Sequence, residues 1–201
     1  MNTYFTSDVH FGHNNILKKF CPDTRQGVDV DDMNRIIIHN WKKQVRPEDH
    51  VWLLGDIFFI NDVNICANIL RQLPGILHLV YGNHDKIIRN NQYLQDFFTE
   101  CVEWADIMLK PPGMYSNTRD QRVILHHYPT YEWKDMHKGA FHLYGHIHSK
   151  YGLEEHPFVT GRAMDAGIDS RPNKDMTLWS WEEVYQNLIQ RKIRGHHEAE
   201  L

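Results

Sequence analysis

The sequence predicts a single α/β domain. Short apolar runs of strand length alternate with stretches in which apolar residues recur at helical spacing, a pattern typical of helices layered on a sheet. The chain has 201 residues, which suits one domain of this class and allows a sizeable buried core. We therefore expect one folded domain over residues 1–194 and a short flexible tail over 195–201.

The apolar runs predict five strands, at 4–6, 51–54, 76–81, 123–125 and 141–144. Between the first three runs, the spacing of apolar residues predicts amphipathic helices at 31–45 and 61–73. A proline closely follows each of them, at Pro47 and Pro74. A last helix is predicted at 182–193.

Composition limits the class of function. A formal net charge of -4 offers no large basic surface, so nucleic acid is a possible partner that the sequence does not indicate. Three widely spaced cysteines form no CxxC pair and no disulfide framework. The N-terminus has no signal-peptide pattern, and no run approaches the ~18 apolar residues of a membrane span. We expect a cytoplasmic protein without a membrane partner, and the oligomeric state is left open.

Metal-type ligands follow the predicted strands. The clusters are Asp8-Val9-His10, Gly55-Asp56, Gly82-Asn83-His84-Asp85, His126-His127 and Gly145-His146-Ile147-His148. In open α/β sheets the loops beyond the carboxyl ends of the strands converge on a ligand site. Histidines outside the clusters are expected to be surface or structural residues: His39, His50, His78, His142 and His156.

Two spacings suggest how the ligands are presented. Asp8 and His10 are separated by one residue, as are His146 and His148, and extended backbone would direct both members of a pair to the same side. In three of the clusters a glycine, which permits close backbone approach, stands just before the first ligand; these are Gly55, Gly82 and Gly145.

The donor set consists of carboxylates, an amide oxygen and imidazoles, without a thiolate. Such a set fits manganese, iron, nickel or zinc, and we expect manganese first. Seven ligands exceed the needs of one catalytic ion and suit two divalent ions that share a carboxylate. Two ions ~3.5–4 Å apart can clamp the attacking and leaving oxygens of a phosphoryl transfer and acidify a bound water.

The five motifs together resemble those of the calcineurin-like metallophosphoesterase superfamily, over roughly residues 3–170. The longer strings resemble a small bacterial and phage branch of predicted phosphoesterases; they are Asp8-Val-His-Phe-Gly-His13, His127-Tyr-Pro129 and Leu143-Tyr-Gly-His-Ile-His148. The resemblance implies a four-layer α/β/β/α sandwich with a dinuclear metal site at one edge.

The resemblance also implies a role for each ligand. The first metal would be held by Asp8, His10 and His148, and the second by Asn83, His127 and His146, with Asp56 bridging them. His84 and Asp85 would form the catalytic pair: His84 would donate a proton to the leaving oxygen or stabilise the developing charge, and Asp85 would orient His84.

Three further positions carry expectations. Strand alternation sends His126 and His127 to opposite sides, and the His-Tyr-Pro string favours His127 as the ligand. His13 is a candidate contact for the substrate phosphate. Asp165 stands where relatives often have asparagine, which puts the role of the 165–169 loop in doubt.

The implied function is hydrolysis of a phosphate ester, with a phosphodiester expected first and a hydroxide bridging the metals as the nucleophile. The substrate would be a phosphorylated small molecule or a nucleotide. One alternative is a phosphomonoesterase, and another is a non-catalytic interaction scaffold on the same fold. A scaffold is expected to have lost ligands, whereas this chain has His84 and all seven.

Overall fold

The computed structural model describes residues 1–113, 119–148 and 156–195, so positions 196–201 of the expected tail lie outside it. The strands in these ranges are β1 (Thr3–Thr6), β2 (His50–Leu53), β3 (Ile76–Val80), β4 (Cys101–Val102), β5 (Trp104–Leu109), β6 (Gln121–His126), β7 (Phe141–Tyr144), β8 (Ala163–Asp165) and β9 (Trp179–Ser180). The α-helices are α1 (Val30–Gln44), α2 (Val63–Leu70), α3 (Lys86–Arg89), α4 (Gln92–Gln95) and α5 (Trp181–Ile189). Single turns of π- or 3₁₀-helix lie at Ile16–Phe20, Met136–Lys138 and Ile168–Ser170.

The strands form two mixed sheets. The first has the order β4-β3-β2-β1-β9, in which β1 to β4 are parallel and β9 is antiparallel to β1. The second has the order β5-β6-β7-β8, in which β6, β7 and β8 are parallel and β5 is antiparallel. Two mixed sheets with helices confirm the α/β class.

The register of the parallel strands brings their carboxyl ends level. Thr3 lies opposite His50, and His50 lies opposite Ile76, so β1, β2 and β3 finish at the same edge. In the second sheet Val123 lies opposite Phe141, which aligns β6 with β7 in the same way. The loops that carry the ligand clusters therefore leave each sheet side by side.

The strands read as continuous apolar runs because both faces of the sheet are buried. In β2 and the residue after it, Val51 and Leu53 belong to the core that the first sheet shares with α1 and α2. Trp52 and Leu54 belong to a second core, which the first sheet shares with Phe141 of the second sheet. Residues of both sheets therefore share this second core. The outer face of the second sheet has a smaller core that includes Trp133, Met136 and Tyr144.

Helix α1 shows why the sequence pattern predicted it well. The Asp29 side chain caps its first turn by accepting a hydrogen bond from the backbone N–H of Asp32 at 2.8 Å. Met33, Ile37 and Trp41 lie on one helical face and are fully buried. Among the described residues, no helix combines the length and the apolar character needed to cross a membrane.

A buried histidine in β7 links stability to pH. The His142 side chain is fully buried, and its Nδ1 donates a hydrogen bond to the Ile124 carbonyl oxygen at 3.1 Å. Its Nε2 accepts from the backbone N–H of Thr130 at 3.2 Å. Burial in this neutral environment lowers the pKa of His142 to about 4.

We expect the metal-free protein to lose stability as the pH falls from about 6.5 to about 4. In this window the unfolded chain protonates residue 142 and the folded chain does not, so acid favours unfolding by up to about 3 kcal/mol from this group. Urea unfolding at a series of pH values measures the effect. The His142→Asn variant should have a lower free energy of unfolding at pH 8, but that free energy should change less between pH 6.5 and 4. The His39→Asn variant, which changes an exposed histidine, should show the same pH dependence as the parent. Equal pH dependence in His142→Asn and the parent would contradict the assignment.

Candidate metal centre

The ligand clusters meet where the strands of both sheets end. The loop after β1 is tied to the loop after β2: the backbone N–H of Asp8 donates to the Gly55 carbonyl oxygen at 2.9 Å, and that of His10 donates to the Asp56 carbonyl oxygen at 3.0 Å. The second sheet joins them through the N–H of His146, which donates to Asp8 Oδ2 at 2.8 Å. Residues far apart in sequence are thereby held in one site.

The first group of ligand-type atoms comes from Asp8, His10 and His148, whose candidate atoms all lie within 4.8 Å of one another. Asp8 Oδ1 is 4.0 Å from both His10 Nε2 and His148 Nε2. Asp8 Oδ1 and the two ring nitrogens of His10 are buried and have no hydrogen-bond partner among the described residues. Such orphaned atoms are costly unless something satisfies them, and a cation fits this set.

The second group comes from Asp56, His127 and His146, also within 4.8 Å of one another. His127 Nδ1 donates to the Leu54 carbonyl oxygen at 2.7 Å, which leaves Nε2 facing the site as the ring atom that can bind a metal. That Nε2 lies 3.0 Å from Asn83 Oδ1 and 3.6 Å from Asp56 Oδ2. A cation bound between this ring nitrogen and the two oxygens would satisfy all three, so this donor set also fits a metal ion.

Asp56 lies between the two groups. Its Oδ2 is 3.7 Å from His10 Nε2 on one side and 3.6 Å from His127 Nε2 on the other. Its Oδ1 accepts the backbone N–H of His84 at 2.8 Å, which fixes the carboxylate. One carboxylate oxygen therefore faces both groups of imidazoles.

Five of the ligand candidates have left-handed backbone, which non-glycine residues rarely adopt. They are Asp8 (φ 54°), His10 (φ 51°), Asp56 (φ 58°), His146 (φ 73°) and His148 (φ 48°). The expectation that the two spaced pairs lie on extended backbone is therefore wrong, because the strands end before them. Each such residue costs about 1–3 kcal/mol, and strain of this kind clusters at functional sites.

Two glycines make room for the carboxylates. A Cβ on Gly82 would lie 2.2 Å from Asp56 Oδ1, and a Cβ on Gly145 would lie 1.9 Å from Ser7 Oγ and 2.5 Å from Asp8 Oδ2. Neither approach is sterically allowed. These positions require glycine because the ligand loops touch their backbone, which is the reason the sequence pattern suggested.

His84 and Asp85 do not form the expected pair. The buried Asp85 carboxylate accepts backbone hydrogen bonds from Asp56 and Ile57, each at 2.9 Å, and from Gly82 at 2.8 Å. Those bonds oppose the burial that raises the pKa of Asp85. Asp85 thus holds the loops after β2 and β3 together instead of orienting the His84 ring. The His84 side chain is partly exposed, with Nε2 4.0 Å from Asp56 Oδ2.

A buried network that sequence patterns did not reveal supports His148. Its Nδ1 lies 3.0 Å from Asp169 Oδ2, and Asp169 receives two hydrogen bonds from Arg25 at 2.7 Å each. Arg25 also donates to the carbonyl oxygens of Asp8 and Val9, so the network braces the first ligand loop. The 165–169 string contained Asp169, but only the fold shows its partner.

Electrostatics differ between the imidazoles of the first group. Burial, followed by the neighbouring His148 and Arg25, lowers the pKa of His10 to about 2, which keeps the ring neutral and able to bind a metal. Burial would also lower the pKa of His148, but the hydrogen bonds with Asp169 and Cys21 and the charges of Asp8 and Asp169 together outweigh it and raise this pKa to about 10. A metal at His148 must therefore displace a proton.

The other residues singled out in the sequence lie outside the two groups of ligand-type atoms, with the exception of His127. His126 is on β6 with its Nδ1 3.0 Å from the Tyr128 carbonyl oxygen, whereas His127 lies in the second group. The His13 ring lies beside that of His10 at a centroid distance of 5.3 Å, with the two planes tilted by 39°. Asp165 Oδ1 accepts the backbone N–H of Gly167 at 2.6 Å, which shapes the turn toward Asp169. Cys21 is also within reach of His148, on the side that Asp169 occupies.

No family model matches the chain. An uncharacterised protein of Methanocaldococcus jannaschii is 28% identical over 166 residues, which cover 82% of this chain and 79% of that protein. The gene 66 protein of Mycobacterium phage L5 is 27% identical over 203 residues and 92% of each chain. The similarity therefore extends over most of the chain.

Among solved structures, a protein of unknown function from Aquifex aeolicus is similar at a TM-score of 0.62, with 25% identity over 92% of this chain and 98% of that one. A Streptococcus pneumoniae protein described as a predicted phosphoesterase gives a TM-score of 0.38 with 16% identity over 83% and 71% of the chains, too low to carry an argument. The chain thus shares its fold with the Aquifex protein.

Proposed function

We propose that the protein is a dinuclear metal-dependent phosphoesterase whose preferred substrates are phosphodiesters. The observation that carries the proposal is the position of Asp56 Oδ2, within 3.7 Å of imidazole nitrogens from both groups. We assign Asp8, His10 and His148 to the first ion, and Asn83, His127 and His146 to the second, with manganese as the first ion to test. The four-layer sandwich implied by the sequence resemblance is part of this proposal.

When bound, two divalent ions neutralise phosphoryl oxygens and acidify water. The chain's own residues would position the ester and protonate the leaving group. His84 stands at the mouth of the site, and its backbone N–H is fixed to Asp56 at 2.8 Å. From this position its imidazole can give a proton to a departing oxygen. Asp85 supports the reaction indirectly, as a positioning residue that holds the ligand loops.

Two clefts meet at His84 and favour a diester over a monoester. The first cleft, of about 460 Å³, lies toward His13, Ile16 and Phe20. The second cleft, of about 310 Å³, lies toward Phe59, Asn61 and Lys86. A phosphodiester has two substituents on phosphorus, so one cleft can receive each of them. A phosphomonoester would leave one cleft unused.

The proposal is tested with metal-stripped protein to which Mn, Ni, Zn or Mg is added back singly. We expect metal-dependent release of nitrophenol from bis-p-nitrophenyl phosphate at a higher kcat/KM than from p-nitrophenyl phosphate. A reversed preference would assign the protein to the phosphomonoesterases. Failure to bind any of these ions in a calorimetric titration would favour the interaction scaffold.

The hydrogen bond between Asp169 and His148 leads to a prediction about metal affinity. Asp169→Asn removes the carboxylate that orients the His148 ring, and loss of such a partner typically weakens metal affinity about 10- to 100-fold. We expect that loss for the first ion only, measured by competition with a metallochromic chelator.

The control for this prediction is Asp175→Asn, which alters a half-buried carboxylate near Arg171 and not near His148. Equal affinities in Asp169→Asn and the parent would remove Asp169 from the site.

A further inference from the structure

Two large aromatic side chains are exposed beside the candidate metal centre. Phe20, at the end of the π-helical turn Ile16–Phe20, is 67% exposed, and Phe59, in the loop after β2, is 48% exposed. An exposed phenyl ring does not contribute the free energy of folding that it would contribute if it were buried. Exposed apolar groups beside polar ones often mark a ligand-binding surface.

The two phenyl rings are connected to His84 through other rings. The centroid of Phe20 is 6.0 Å from that of His13, with the planes 20° apart. The His13 centroid is 3.9 Å from that of Phe59, which in turn is 5.3 Å from that of His84. A continuous row of rings thus leads to the residue that both clefts share.

Each cleft has one of the exposed phenyl rings. Phe20 lines the first cleft with Ile16 and Ile147, and Phe59 lines the second beside Ile60. A flat aromatic substituent can stack on a phenyl face in the offset arrangement that aromatic pairs prefer. Each ring therefore lines one of the two clefts into which an arm of a diester at His84 can extend.

We propose that Phe20 and Phe59 are stacking platforms for nucleobases, one in each cleft beside the scissile phosphate, so that the substrates are nucleoside phosphodiesters. The position of the phosphate at His84 rests on the proposed function. Stacking on phenyl rings tolerates any base because every base has a π face. The net charge of -4 argues for a short ligand of one or two nucleosides over a long strand, which would need a basic track.

The test compares ligands of matched charge on Mn²⁺-loaded protein by calorimetry. Adenosine 5′-phosphate carries a base where ribose 5-phosphate carries a hydroxyl group. Adenylyl-adenosine and adenosine 5′-methyl phosphate differ by the second nucleoside. We expect each added base to tighten binding about 10-fold. Where a ligand is cleaved, the ratio of kcat/KM values replaces the ratio of dissociation constants.

Phe20→Leu and Phe59→Leu keep an apolar side chain but remove the ring. Each variant should lose the gain from one base, and the double variant should lose both. Tyr93→Leu, which removes an exposed ring on α4 away from both clefts, should keep the parent ratios. Equal binding within both pairs by the parent, or retained ratios in the double variant, would overturn the proposal.

The outcome is separable from that of the proposed function. Base-dependent binding without turnover by any metal form would keep the platforms and reject the esterase. Metal-dependent hydrolysis of diesters with no preference for added bases would keep the esterase and reject the platforms.

Discussion

Replacement of Asp56 by asparagine is expected to remove both metal ions and to lower diester hydrolysis by more than about 1,000-fold, since metal ions contribute several kcal/mol to such reactions. Asp56 Oδ2 is the oxygen that faces His10 and His127 together. Asparagine keeps an oxygen that can accept the backbone N–H of His84, so the loop retains that hydrogen bond. What disappears is the negative charge that would lie between the two proposed cations.

Metal content after equilibrium dialysis is measured together with turnover. It distinguishes a carboxylate that bridges both ions from a ligand that binds only one ion. His146→Ala should lose only the second ion, whereas Asp56→Asn should lose both. Asp62→Asn is the matched control, because Asp62 only caps α2 and asparagine caps a helix equally well. Retention of one full equivalent of metal in Asp56→Asn would show that Asp56 does not bridge.

Much of the fold was predictable because burial leaves a strong pattern. Strands β1, β2, β3, β6 and β7 are internal to their sheets, so they read as short apolar runs and were located closely. Strand β5 was missed since it is the edge of the second sheet, with Trp104 56% exposed and Asp106 paired with Arg122. Strands β8 and β9 have three and two residues, too few for a periodic signal.

The candidate site was predictable to the extent that its residues follow strands. Parallel strands that end level bring their following residues together, and the seven ligand candidates meet for that reason. The bracing contact between Arg25 and Asp169 joins positions 144 apart in sequence, and no local pattern marks it. The left-handed backbone at the ligands and the true partners of Asp85 also depend on tertiary contacts alone.

Replacement of His84 by asparagine is expected to slow turnover about 100- to 10,000-fold while both metal ions stay bound. The imidazole belongs to neither group of ligand-type atoms, although its Nε2 lies 4.0 Å from Asp56 Oδ2. His39→Asn, which changes an exposed histidine on α1, is the matched control and should behave as the parent. Loss of metal in His84→Asn would make it a ligand instead.

The size of that defect should depend on the leaving group. A p-nitrophenolate departs readily without a proton, whereas a nucleoside alkoxide needs one, so the proton donor matters more for the nucleoside. We expect the smaller defect for bis-p-nitrophenyl phosphate and the larger one for adenylyl-adenosine. Equal defects for both substrates would mean that His84 stabilises charge on the phosphoryl oxygens. Either result distinguishes proton donation from charge stabilisation by His84. Only proton donation depends on the basicity of the leaving oxygen.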